Sequence, residues 1–100
     1  MKYRIDFLEG SQQDLNEIKE YLSQFYENTV RNFFEKLEKK LDALKDMPLM
    51  YSTYEDDPYF RRFVVDDYLV FYNVSEVRRL ITVHRIIHMR RDISRQILKI

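Results

Sequence analysis

FRRFVVDDYLVFYNVSEVRRLITVHRIIHMRRD, Phe60 to Asp92, is the stretch whose reading decides the fold. It holds two long runs of Val, Ile, Leu, Phe and Tyr, Tyr68 to Val74 and Leu80 to Ile87, parted by the polar Ser75-Glu76, which is the pattern of a β-hairpin. A shorter run, Phe60 to Val65, precedes them across Asp66-Asp67. In the first long run Tyr68, Val70, Tyr72 and Val74 alternate with Leu69, Phe71 and Asn73, so both faces of that strand are largely apolar. Such a strand belongs inside a sheet covered, or nearly covered, on both sides. Arginines thread these runs and continue past them: Arg61, Arg62, Arg78, Arg79, Arg85, Arg90, Arg91 and Arg95.

Outward from this core, Lys2 to Leu8 alternates, with Tyr3, Ile5 and Phe7 on one side, and predicts a half-buried strand. Gly10 marks its exit, and Ser11 followed by Asp14 has the spacing of a helix cap with an acidic third residue. Leu15, Ile18, Leu22 and Phe25 then form one stripe on a helix of roughly four turns. Asn28 or Thr29 can cap a second helix with the stripe Val30, Phe33, Phe34, Leu37, Leu41 and Leu44, and Pro48 lies just past its end. The short joint at Tyr26 to Asn28 predicts an antiparallel helical hairpin. Residues 49–59 fit neither period and read as a loop held on the sheet by its aromatic and Met side chains; Ile93 to Ile100 reads as a short helix or a mobile end. The order is β-α-α-β-β-β, an α+β fold with the helical hairpin packed on a mostly antiparallel four-stranded sheet, and residues 1–100 make one domain.

One hundred residues, 45% of them hydrophobic, suffice for one core and leave room for one site. With no Cys, a disulfide framework and a thiolate metal site are excluded. MKYRIDFLEG is too polar for a signal peptide, and no apolar run nears the roughly 20 residues that span a bilayer, so a cytoplasmic protein of bacterial type without membrane contact is expected. The net charge of zero conceals an asymmetry: residues 1–57 carry 8 Lys+Arg against 13 Asp+Glu, net −5, and residues 58–100 carry 9 against 4, net +5. The basic part is nearly all Arg, suited to bidentate contact with phosphate, carboxylate or an acidic protein partner. The pI of 6.7 argues against a general nucleic-acid coat.

Few chemistries fit these residues. His84 and His88 have the i, i+4 spacing of a helical metal pair, but on a strand four residues span about 13 Å, too far for one zinc at about 2 Å, so no metal site and no cofactor are expected. Asp56-Asp57 and Asp66-Asp67 are neighbours in sequence at turns, and read as turn residues rather than an acid/base pair. One glycine cannot build a phosphate loop. What remains is the Arg/His set where the last strand ends: His88, Arg90 and Arg91, with Arg85 placed among Ile81, Val83 and Ile87 and so in need of a carboxylate. In one reading Arg85 pairs with an acidic helix residue and Arg90 and Arg91 are a solvated strand end. In the other the set is a cationic site for phosphate charge, as a metal-free ribonuclease needs.

The ordered set YRIDF, DLNEIKEYL, a second helix, Pro48, DDYLVFYNV and RIIHMRRDI resembles the RelE/ParE superfamily, the toxins of type II toxin-antitoxin pairs, over residues 3–93. The resemblance implies a compact β-α-α-β-β-β toxin, a cognate antitoxin that wraps and neutralises it, assembly up to a heterotetramer through that antitoxin, and growth arrest when the toxin is free. Two activities occur in the superfamily. The ribosome-dependent mRNA endonucleases similar to RelE and YoeB carry an Arg where this chain has Leu69, and tend to end in a catalytic Tyr, absent from Ile93 to Gln96. Arg62 and Arg90 do match basic positions of that group, and Arg61 can join them. If the chain is a nuclease, Arg62, Arg90 and His88 are the expected catalytic residues.

The IxHxxxD-like end, here Ile86, His88 and Asp92, together with the two N-terminal helices, is similar to ParE-like members, for which the resemblance implies inhibition of DNA gyrase by protein contact, with no reaction catalysed. The ParE-like reading is preferred, with Arg61, Arg62, Arg85, Arg90 and Arg91 as residues that bind target or antitoxin. A third reading is an inactive binding module that keeps the fold and the antitoxin contact. The antitoxin is expected to lay an amphipathic, acidic helix or strand across the sheet and second helix.

Overall fold

The computed structural model describes residues 2–90, and the expected terminal segment Ile93 to Ile100 lies outside them. The elements run β1 (Arg4–Phe7), α1 (Glu9–Leu22), α2 (Thr29–Asp46), β2 (Thr53–Tyr54), β3 (Asp57–Val65), β4 (Tyr68–Ser75) and β5 (Leu80–His88). They form the expected α+β architecture, with one strand more than the four expected. The sheet order is β1-β5-β4-β3-β2, parallel between β1 and β5 and antiparallel elsewhere. The added strand is β2, two residues paired with β3 inside the segment expected to be a loop. Two residues cannot display a period, so nothing in the sequence marks them as a strand.

The hairpins follow from local chemistry. Asp66 turns β3 into β4 at φ 53°, a left-handed conformation that Asp tolerates better than most side chains. Glu76 to Arg79 turn β4 into β5, the Ser75 hydroxyl accepting the Arg78 N–H at 3.2 Å. The alternation expected in β4 holds. Tyr68, Val70 and Tyr72 enter the main core with Ile18, Phe33, Leu37, Leu41, Leu44, Phe63, Ile81, Val83 and Ile86, beneath the two helices. On the opposite face Phe71 joins Phe60 and Ile87 in a smaller cluster packed by Tyr54 and Leu69.

Two local expectations are corrected. The first helix starts at Glu9, before Gly10, with Leu8 as its cap residue and no side-chain cap. Ser11 therefore lies inside the helix and its hydroxyl donates back to the Leu8 carbonyl at 2.8 Å. Gly10 is helical for a steric reason: a Cβ there would stand 3.0 Å from Arg85 Cδ, so the absent side chain lets α1 approach β5. α1 also ends at Leu22, one turn short of Phe25, which is 54% exposed instead of continuing the stripe. The second helix begins after Asn28 and ends before Met47-Pro48, as its signals predict.

The β5 strand carries a bulge. Phe71 faces Arg85 while Tyr72 faces Val83, leaving His84 as the extra residue. The insertion breaks the assumed alternation: Ile81 and Val83 belong to the helix-side core, whereas Ile87 belongs to the opposite cluster. A simple odd-even count along β5 misassigns every residue past the bulge.

Candidate functional site

The free edge of β5 organises the site. β1 pairs with β5 only as far as Phe7 opposite Val83, so among the described residues the edge from His84 onward has no strand partner and α1 takes its place. The Leu8 N–H donates to the Val83 carbonyl at 3.0 Å, and nearly two turns later Asp14 reaches the strand. Its carboxylate accepts from the Ile86 N–H at 2.8 Å and, in bidentate fashion, from Arg85 Nε at 2.7 Å and Nη2 at 2.9 Å. The Asp14 side chain is 7% exposed and that of Arg85 18%. The hydrogen bonds to Asp14 raise the Arg85 pKa further, against the opposing effect of burial. Arg85 thus has the acidic helix partner that its sequence position calls for, and this guanidinium is committed to the fold.

Beside this ion pair, a cleft of about 370 Å³ opens between α1 and the end of β5, lined by Asp14, Glu17, Tyr21, Tyr68, His88 and Arg90. His88 accepts the Arg90 N–H on Nδ1 at 3.1 Å, which places the ring proton of the neutral form on Nε2, and its ring stands edge-on to Tyr68 at 5.2 Å. Arg90 is exposed. These two expected residues come together. Arg91 lies outside the described residues.

The paired arginines of β3 point to opposite faces. Arg61 shares the helix side with Tyr72, its register partner, and its Nη1 donates to the carbonyls of Tyr51 at 2.7 Å and Leu49 at 3.4 Å. It anchors the segment between α2 and β2. Arg62 lies on the opposite side, helix-free among the described residues, and is half-buried, its guanidinium carbon 5.8 Å from the centre of the Tyr54 ring. Arg62 is therefore separated by the sheet from His88 and the cleft, while Arg61 is held by loop carbonyls. The expected nuclease set of Arg62, Arg90 and His88 is not gathered at one point among the described residues.

The two histidines also part company. His88 faces the helix-side cleft, whereas His84, in the bulge, meets Phe60 at 4.9 Å and Tyr59 at 6.0 Å on the other side. Among the described residues no three His, Cys, Asp or Glu side chains are grouped to hold a metal ion. Sequence reasoning missed Asp14 as the partner of β5, taking it for a capping residue. The signal was present: Ser11, Asp14 and Ile18 recur at helical spacing, so a carboxylate sits on the buried stripe, and all three are buried.

The family model described as the ParE toxin of type II toxin-antitoxin system, parDE, matches residues 5–93. The chain belongs to the ParE toxin family. No curated protein matches this ParE-family chain significantly. Among solved structures it resembles the chromosomal ParDE system of P. aeruginosa, with a TM-score of 0.69 at 12% identity, covering 87% of this chain and 96% of that one. It also resembles the isolated E. coli RelE toxin, with a TM-score of 0.65 at 17% identity over 97% of this chain and 96% of that chain. The intact E. coli RelBE toxin-antitoxin complex matches with a TM-score of 0.64 at 17% identity, over 89% and 99%. At these identities the likeness is one of fold. The ParE-family chain is thus a toxin of the type II class, and no helix among its described residues is long and apolar enough to cross a membrane.

Proposed function

We propose that this ParE-family toxin arrests growth in the cytoplasm by binding DNA gyrase, catalyses no reaction itself, and is neutralised by a cognate antitoxin. The observation that carries the reading is the dispersal of the cationic groups: Arg61 on loop carbonyls, Arg62 across the sheet above Tyr54, Arg85 on Asp14, and Arg90 beside His88. Phosphoryl-transfer chemistry without a metal needs several donors converging within about 3 Å of one reacting group. Arginines spread over two faces and an edge suit instead a binding surface, where separate guanidinium and aromatic anchors each meet part of a protein partner. The antitoxin reading draws on the family and on the RelBE and ParDE assemblies named above.

Inducing the chain alone in bacteria, with message cleavage read by primer extension alongside supercoiling by purified gyrase, tests the proposal. The expected result is lost supercoiling and DNA-damage signalling with intact messages, relieved by co-expressed antitoxin. Codon-positioned cleavage that disappears in Arg62→Ala or Arg90→Ala would replace it with the ribosome-dependent nuclease reading. Unimpaired growth would leave an inactive module that keeps only the partner contact.

A further inference from the structure

The helix-free face of the sheet has a second titratable feature that the toxin reading does not use. His84 fills the β5 bulge, is 9% exposed, and among the described residues has no hydrogen-bond partner for either Nδ1 or Nε2. A buried imidazole with both nitrogens unmatched is uncommon, because each unmatched polar atom costs free energy. What surrounds the ring is aromatic: Phe60 edge-on at 4.9 Å and Tyr59 at 6.0 Å, the second 63% exposed and so a thin cover. Phe60 in turn packs on Phe71 at 6.5 Å, and Tyr54 closes on Phe71 at 5.2 Å.

Among the described residues no hydrogen bond or ion pair links this ring to a charged group. On β5 itself the neighbour Arg85 directs its guanidinium to Asp14 of α1, and both are committed to that pair. α1 otherwise approaches through Gly10, beside the His84 carbonyl oxygen. From β3 come the Tyr59 phenol and, two residues earlier, Asp57, which accepts the Tyr59 N–H at 3.2 Å. β4 offers Phe71 and Tyr72 opposite the bulge.

We propose that His84 is an acid-sensitive latch: neutral, it seats the Tyr59-Phe60 end of β3 on the sheet, and protonated, it leaves that seat and uncovers the Phe71-Ile87 cluster. The Tyr59-Phe60 segment is the one to give way: the β2 register skips it between Asp57 and Arg61, the β4 register begins only at Arg61, and the Tyr59 ring is exposed. Burial pushes the His84 pKa below its ordinary value, in keeping with a seat that accepts only the neutral ring. The open form binds a proton with ordinary histidine affinity and the closed form more weakly, so closure is fully favoured above the ordinary value and lost as pH falls below it. One pH unit below the ordinary value, opening rises by up to about tenfold.

Hydrogen exchange of the intact protein at pH 7.5 and 5.5, corrected for intrinsic rates, tests this. Amides of residues 54–62 are expected to lose up to about tenfold protection at the lower pH, with α2 unchanged. His84→Phe should abolish that pH dependence, and His88→Gln should leave it intact. Equal protection at both pH values, or the same loss in His84→Phe, would overturn the latch. A direct NMR titration of the wild-type imidazole keeps the test decisive should the variant misfold: a midpoint at or above the ordinary value would also overturn it.

Discussion

The two faces of the sheet are built to different standards. Beneath the helices, the core gathers residues from both helices and every strand but the shortest, and Phe33, Leu44, Val70, Tyr72, Ile81 and Val83 are sealed from solvent. On the opposite face the described residues bury a smaller cluster, Phe60, Phe71 and Ile87, packed by Tyr54 and Leu69. A closely packed interior resists change at every position, whereas a thin cover can rearrange at small cost. The helix side thus fixes the fold, and the helix-free side has latitude to move or to be met by another molecule.

Matched substitutions sharpen this contrast. Phe33→Ala, beneath the helices, is expected to lower unfolding free energy toward the upper end of roughly 3–5 kcal/mol. Phe60→Ala should fall at the lower end, because the space it leaves borders the exposed Tyr59 ring and can collapse. Urea unfolding at neutral pH measures both, and equal costs would mean that the two faces are packed alike. Next in size is an alkaline effect confined to the helix side. The buried Tyr72 hydroxyl donates to the Pro48 carbonyl at 3.2 Å, and burial raises its pKa to about 12. A raised phenol contributes stability that is complete below its ordinary pKa of 10.0 and is lost as pH climbs toward the folded value. Stability should therefore fall between pH 10 and 12 by about 2 kcal/mol, and Tyr72→Phe should flatten that decline.

The smallest effects separate the adjacent arginines. Arg61→Ala removes its hydrogen bonds to two partly exposed loop carbonyls and is expected to cost about 0.5–1.5 kcal/mol. Arg62→Ala, which loses the contact with the Tyr54 ring, should cost no more than about 0.5–1 kcal/mol, while weakening toxicity or partner binding. Thermal melts beside a growth assay would distinguish them, and a folded but fully toxic Arg62→Ala would remove the helix-free face from the binding surface.

Much of this was legible in the residues. Alternation through Tyr68 to Val74 located the central strand and both of its apolar faces, and the stripe from Val30 to Leu44 with Pro48 beyond it bounded the second helix. Arg85 announced its need for a carboxylate, though not which one. The remainder depended on tertiary geometry. Gly10 resembles a helix boundary in sequence, yet it is a helical residue whose missing Cβ makes room for Arg85. The bulge left one trace, the spacing of Ile81, Val83 and Ile86, two residues and then three, where a regular strand would keep to two. Plain alternation along β5 puts His84 and His88 on one face, and only the bulge sends them to opposite faces, so their separation across the sheet was not visible in the sequence.

The carboxylate of Asp14 has one further consequence, for solubility. Past Val83 the β5 edge would otherwise present unpaired backbone groups along Arg85-Ile86-Ile87, an apolar template for the strand of another molecule. By taking the Ile86 N–H and turning the Arg85 head inward, Asp14 closes that template with a single side chain. The charge that joins α1 to the sheet thus also leaves one fewer free backbone donor on the β5 edge for the strand of another molecule to pair with.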